Sequence, residues 1–202
     1  MPRQHEGQTV KGGRPDQQSR LPGHHGGVLV VLAGLPGTGK TTLSRRLAAE
    51  MSAAVVRLDA IEAAIIRSGE LQPPLGPVAY LVVQDVVAGC LEVGTTVVVD
   101  AVSPVAEGRT GWRSAAAAAG APVHVFEVVL ADPGEHRRRI EQRLSDLDGL
   151  VVPTWEQVQA RDYQSWNVHR DGDRMIVDGS VTEAAMAAIR LRLGLPPPPV
   201  HR

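Results

Sequence analysis

A single cysteine, Cys90, stands in the whole chain, so no disulfide can close within it. In its apolar stretch the thiol reads as a small core residue rather than a nucleophile. Aromatic side chains make up only 3% of residues, and three of them, Trp155, Tyr163 and Trp166, fall close together. Neither sign of charge dominates: 21 Lys and Arg against 22 Asp and Glu leave a net charge of -1. That balance lacks the bulk electrostatic footprint of a general nucleic-acid binder and argues against a nucleic-acid partner. No apolar run reaches the roughly 18 residues of a membrane span, and Met1-Pro2-Arg3-Gln4-His5-Glu6 does not lead into the apolar core of an export signal. The expectation is a cytoplasmic protein with no membrane partner.

What is present is enough for one core-forming domain, since 202 residues can bury a sizeable apolar interior. Residues 1–26 are rich in Gly, Gln, Arg, His and Pro and show no periodic apolar face, so they are expected to form a disordered tail. His24-His25 has no Cys or carboxylate cluster beside it and reads as part of that tail. The folded domain is expected over 27–195. A proline-rich tail, 196–202, follows, because Pro196-Pro197-Pro198-Pro199 cannot continue a helix.

Between the tails, strand and helix patterns alternate. Val28–Leu32 is an uninterrupted apolar run of the kind buried on both faces of a parallel sheet. Further strands are predicted over 54–58, 96–99, 123–130 and 174–177. Helices are predicted over 40–51, 60–67, 78–93, 107–119, 133–147, 155–167 and 181–193. Five strands with intervening helices imply an α/β fold, a parallel sheet covered on both faces with right-handed crossovers. Ligands of such sheets bind beyond the carboxyl ends of the strands, which makes those ends the places to search for chemistry.

The first strand is followed by Gly34-Leu35-Pro36-Gly37-Thr38-Gly39-Lys40-Thr41, which matches G-x-x-x-x-G-K-[ST] at every required position. Gly34, Gly37 and Gly39 let the backbone curl so that successive amides, including those of Pro36's neighbours, Thr38 and Thr42, surround an anion at the positive end of a helix. Lys40 would then reach the β- and γ-phosphates of a nucleoside triphosphate, and the Thr41 hydroxyl would ligate Mg²⁺. ATP with Mg²⁺ is the expected cofactor pair.

The other strand ends carry further candidates. Asp59 follows Val55-Val56-Arg57-Leu58 and could cap the next helix, take a proton from an attacking hydroxyl, or do both. Asp100 ends Val97-Val98-Val99 as a Walker B carboxylate would, and pairs with Thr41 as a candidate magnesium ligand. Arg139 and Arg143 lie one helical turn apart after the fourth strand, so both guanidinium groups could point at one polyphosphate. Asp178 or Ser180 is expected to cap the last helix. Arg109 and Arg113, four apart, could bind an anion. The rings of Trp155, Tyr163 and Trp166 are expected to pack on one helical face.

Taken together, the P-loop with Thr42-Leu43, Arg57-Leu58-Asp59-Ala60-Ile61, Val97-Val98-Val99-Asp100-Ala101, Arg139-Ile140-Glu141-Gln142-Arg143, and Pro153-Thr154-Trp155-Glu156 with Tyr163 and Trp166 resemble the small P-loop kinases. The resemblance is to the nucleoside-monophosphate-kinase-like class, particularly its AAA family ATPase or zeta-toxin-like branch. That branch includes adenylylsulfate kinase, gluconate kinase, chloramphenicol phosphotransferase and the polynucleotide kinase domain. The resemblance implies a three-layer α/β/α sandwich with a five-stranded parallel sheet of order 2-3-1-4-5 and a helical lid beginning near Arg143. It also implies Asp59 as the acceptor-side base, Arg139 as the residue stacking on adenine and Arg143 as the lid arginine. Members that phosphorylate anionic acceptors often carry Arg three residues after this Asp, where Glu62 stands here. A neutral or cationic small-molecule acceptor is therefore expected, used by a monomer or homodimer. The competing classes are an ATP-hydrolysing switch acting on a protein partner and a toxin-like or nucleic-acid-end kinase.

Overall fold

The structure, a computed structural model, describes residues 26–196. His24-His25 and Pro197 to Pro199 lie outside the described residues. Among the described residues, five strands and eight helices follow one another: β1 (Leu29–Ala33), α1 (Lys40–Met51), β2 (Ala54–Arg57), α2 (Leu58–Ser68), α3 (Val78–Glu92), β3 (Val97–Asp100), α4 (Ala106–Ala118), β4 (Val123–Val129), α5 (Pro133–Glu141), α6 (Trp155–Gln159), α7 (Val168–Asp171), β5 (Met175–Asp178) and α8 (Thr182–Leu193). All pairings are parallel, in the order β2-β3-β1-β4-β5. The strand order implied by the resemblance is the order found.

The period of two in β1 divides the interior into two cores. Leu29 and Val31 point to one face with Val97 and Val99, packing on Leu58, Val83, Val87 and Trp112 of α2, α3 and α4. Val30 and Leu32 point to the other with Val98, Phe126 and Val128, packing on Leu43 and Leu47 of α1 and Met186 and Ile189 of α8. Helices thus cover both faces of the sheet and leave its carboxyl edge open. Cys90 is half-buried and packs against the first core. Among the described residues, no helix is long and apolar enough to cross a membrane.

Two helices are shorter than their periodicity predicts. α5 stops at Glu141 instead of continuing to 147. Beyond it the Leu147 amide donates to the Ser145 hydroxyl, and Asp146 is drawn to Arg57 and Arg45, so side chain and backbone contacts replace the next helical turns. α6 starts on a Thr154–Gln157 capping box and ends at Gln159 rather than 167. Downstream, Arg109 takes the Gln164 carbonyl as an acceptor at 2.7 Å, and the Tyr163 hydroxyl donates to Glu127 at 2.7 Å. Those long-range bonds pull 160–167 across the carboxyl edge as an extended strap.

The strap changes the aromatic cluster. Trp155, Tyr163 and Trp166 do not share a helical face: Trp155 meets the His136 ring edge-on at 5.2 Å, whereas Tyr163 and Trp166 flank Arg109. The final helix also differs from expectation. No side chain caps α8; Asp178 instead accepts from the Ser180 amide at 2.9 Å and shapes the loop after β5.

Candidate functional site

β1 delivers the glycine loop to the carboxyl edge of the sheet, and α1 begins at Lys40 with Gly39 as its N-cap, φ 100°. Gly34 has φ 125°, and a β-carbon there would collide with the Val128 carbonyl of β4, so glycine is needed both for conformation and for space. On the far side, Gly179 after β5 abuts the Thr38 carbonyl so closely that it too excludes a side chain. The loop is further anchored by His136 of α5, whose Nε2 donates to the Pro36 carbonyl at 2.7 Å. Nothing in the local sequence marks His136 for that task; its signal is the chain reversal that sets α5 beside the loop.

Lys40 is buried, and its ammonium donates to the Leu35 carbonyl at 2.7 Å. Burial lowers its pKa, against the opposing pull of Asp100 and Asp59. Thr41 donates its hydroxyl to Asp100 at 2.6 Å across 59 residues of sequence. Asp100 is only 7% exposed and ends β3 next to Arg57 of β2, its register partner. The Arg57 Nε lies 3.7 Å from the same Asp100 oxygen that Thr41 engages.

A carboxylate and a hydroxyl in contact at the mouth of the anion nest fit Mg²⁺, a hard cation that takes few protein oxygens and keeps water and phosphate ligands for the rest. Among the described residues no group of three or more His, Cys, Asp or Glu could hold a metal by itself.

Asp59 occupies the second position of α2. The N-cap of that helix is Arg57 and no side chain caps it, so the cap role considered for Asp59 is not what the structure shows. Its carboxylate faces Arg143 instead, at 3.6 Å. Arg139 and Arg143 diverge. Arg143 reaches Asp59, whereas Arg139 donates to Glu135 at 2.6 Å and to the Gly179 and Ser180 carbonyls at 3.0 Å each. Both still line one cavity of about 320 Å³ with Gly37, Gly39, Lys40, Thr41, Asp59 and Asp100. Arg137 and Arg138 make exposed helical pairs with Glu141 and Glu135.

Arg109 is not free to bind an anion. It is buried, donates to the Ser103, Pro104 and Gln164 carbonyls, and pairs with buried Asp171 at 3.1 Å. Arg113 is exposed and lies against Gly172. The expected Arg109–Arg113 anion site is thus corrected to a buried structural cage and a separate surface residue.

A second cavity, about 710 Å³, adjoins the first and shares Pro36, Asp59, Val102, Arg143 and Asp146 with it. Glu62 and Tyr80 line it from α2 and α3, Gln157 and Arg161 from α6 and the strap. Burial, then the neighbouring Asp59, pushes the Glu62 carboxyl up. Burial likewise pushes the Tyr80 phenol up to about 12, and that hydroxyl accepts the Ser103 amide at 3.0 Å. Its proton stays bound at neutral pH and is available for donation.

The AAA domain family, AAA_33, matches residues 29–161, the greater part of the chain. The chain belongs to the AAA domain family. Solved structures similar to it include an unliganded sugar kinase from Janibacter sp. HTCC2649, with a TM-score of 0.64 and 15% identity over 85% of this chain and 96% of that one. A gluconokinase from Sinorhizobium meliloti 1021 has a TM-score of 0.55 and 17% identity over 84% and 96%. The Mycobacterium tuberculosis APS kinase, solved with AMPPNP and APS, has a TM-score of 0.57 and 21% identity over 83% and 98%. At these identities the likeness establishes a P-loop kinase-like fold. No curated protein matches the sequence significantly.

Proposed function

We propose that this AAA domain protein transfers the γ-phosphoryl group of ATP to a hydroxyl of a small molecule. The observation that carries the reading is the pair of adjoining cavities with Asp59 and Arg143 at their common boundary. One cavity has the anion nest and Lys40. The other has hydrogen-bonding groups on several walls and room for a compact metabolite.

In this reading the amides of Gly37, Thr38, Gly39, Thr41 and Thr42, with the turn set by Gly34 and Pro36, cradle the phosphates, and Lys40 exchanges the Leu35 carbonyl for phosphate oxygens. A phosphate anion also offsets the burial that lowers the lysine's pKa. Thr41 and Asp100 would hold Mg²⁺, which when bound neutralises charge on the phosphate oxygens. Arg139, fixed by Glu135 and the β5 loop, forms the wall on the base side. Asp59 accepts the proton of the acceptor hydroxyl as its oxygen bonds to the γ-phosphorus; the bond from that phosphorus to the bridging oxygen breaks, and ADP leaves. Arg143 stabilises the charge on the group in transit.

Glu62 favours a neutral or cationic acceptor over a phosphate or sulfate, since its carboxylate adds to that of Asp59 in the same cavity. The test is a screen of polyols, amino alcohols and amino sugars for acceptor-stimulated ADP release, run beside Asp59→Asn. Stimulation that disappears in the variant supports transfer. Hydrolysis indifferent to every acceptor and to Asp59 overturns it in favour of an ATP-driven switch.

A further inference from the structure

Arg57 takes no part in the reading above, yet it touches both halves of the site. It ends β2 in register with Asp100 of β3, so parallel pairing places the two residues side by side at the carboxyl edge. Its side chain is 10% exposed and spans outward: Nη1 and Nη2 donate to the two oxygens of Asp146, at 2.8 and 3.2 Å. Asp146 lies in the lid segment between α5 and α6, and these bonds hold its carboxyl down at about 2. At the other end of the same guanidinium, Nε is buried without a hydrogen-bond partner and faces Asp100 at 3.7 Å.

Apolar packing does little to hold this part of the lid: Leu144 is 89% and Val151 87% exposed. The ties are polar and come largely from arginines of α1, β2 and α2, with Arg45 also on Asp146 and Arg67 on the Asp148 carbonyl. Arg57 alone among them also sits against the candidate metal carboxylate.

We propose that Arg57 is a positioning residue that latches the lid through Asp146 and, by its charge, competes with a cation for Asp100. The fork holds the lid segment over the donor cavity, where Arg143 and Leu144 line the wall. A planar guanidinium can grip Asp146 bidentately while presenting its third nitrogen to Asp100; a lysine cannot do both. An orphaned buried N–H is disfavoured, and it persists here because the fork fixes the group from the lid side.

This inference rests on the proposed donor site but not on any acceptor, so its test uses nucleotide and Mg²⁺ alone. Limited proteolysis of the lid over 142–153 is compared in the full chain for wild type, Asp146→Asn, Arg57→Lys and Arg57→Gln, each first shown to melt cooperatively. All three variants are expected to be cut about tenfold faster, because local opening becomes easier when the tie is lost. The Mg²⁺ concentration that half-saturates its effect on binding of a fluorescent ATP analogue is then measured. It is expected to fall about twofold to fivefold in Arg57→Gln, which loses the competing charge, and to hold in Asp146→Asn and Arg57→Lys. Asp146 is at the surface, so Asp146→Asn remains informative where an Arg57 variant misfolds. Wild-type cleavage rates in Asp146→Asn overturn the latch. Equal Mg²⁺ dependence in wild type and Arg57→Gln overturns the competition, and failure of every chain to bind nucleotide points instead to the donor reading.

Discussion

Arg109 and Arg143 carry the same group and lie at the same edge of the sheet, yet the structure uses them in opposite ways. The Arg109 side chain is 1% exposed and spends its donors on three carbonyls and Asp171, between the rings of Tyr163 and Trp166. Arg143 is 25% exposed and holds one carboxylate at 3.6 Å, too far for a hydrogen bond. A guanidinium with every direction filled is a fastener. One with open donors beside a cavity can meet a ligand. Arg109 fastens the strap 160–167 to the start of α4, beside the second cavity that Pro104 and Arg161 line, while Arg143 lines both cavities.

The contrast can be broken by substitution. The largest effect is expected for Arg109→Met, which leaves three carbonyls without their donor and buried Asp171 paired only with Arg170 and the Asn167 amide; a loss of about 2–4 kcal/mol is expected, read by chemical denaturation. A loss under about 1 kcal/mol would show that the cage is not the fastener described. Arg143→Gln should do the reverse: stability within about 0.5 kcal/mol of wild type by the same assay, with phosphoryl transfer slowed about 10²–10³-fold in steady-state kinetics. Matching losses of stability in both variants would erase the distinction.

Smaller effects sharpen it. Tyr163→Phe removes the donor to Glu127 while keeping the ring on Arg109, and should cost about 0.5–1.5 kcal/mol in a thermal or denaturant melt. The smallest expected effect depends on pH. Because the folded Glu62 carboxyl titrates above its ordinary range, its ionised form is disfavoured in the folded state, and the associated stability is lost as pH rises. Glu62→Gln should therefore be slightly more stable than wild type at neutral pH, with the gain shrinking as pH falls toward about 4 and absent below it, where glutamates are protonated in both states. A gain that grows on acidification would contradict the burial argument.

The Arg57–Asp146 tie carries the opposite sign. The Asp146 carboxyl is held near 2, so its contribution is present above the ordinary carboxylate range and is lost as pH falls from about 4 toward 2. Lid cleavage by an acid-stable protease should rise through that window in wild type and change less in Asp146→Asn. The group is 45% exposed, which keeps the effect modest.

Features written in contiguous residues were the ones legible beforehand. The glycine loop, its lysine and threonine, and the apolar strands are local patterns, and the structure places Asp100 at the end of β3 as expected, whereas β2 stops at Arg57 and Asp59 lies in the first turn of α2. Periodicity alone over-extends α5 and α6, because the pattern of 142–147 and 160–167 says nothing of Asp146 answering Arg57 or of Gln164 answering Arg109. Local pattern gives no role to Arg57, Tyr80, His136 or Arg161 for the same reason, since each gains its place from a partner or wall far along the chain.

The chain alone thus determined where an anion nest forms and which strands alternate with helices, since backbone conformation and side-chain period act over a few neighbouring residues. Tertiary structure decided which arginines are fasteners, which face a cavity and which hold the segment between α5 and α6. Those roles depend on whether each guanidinium donor finds a carbonyl, a carboxylate or open space, and the groups that settle it are brought together only when distant segments pack.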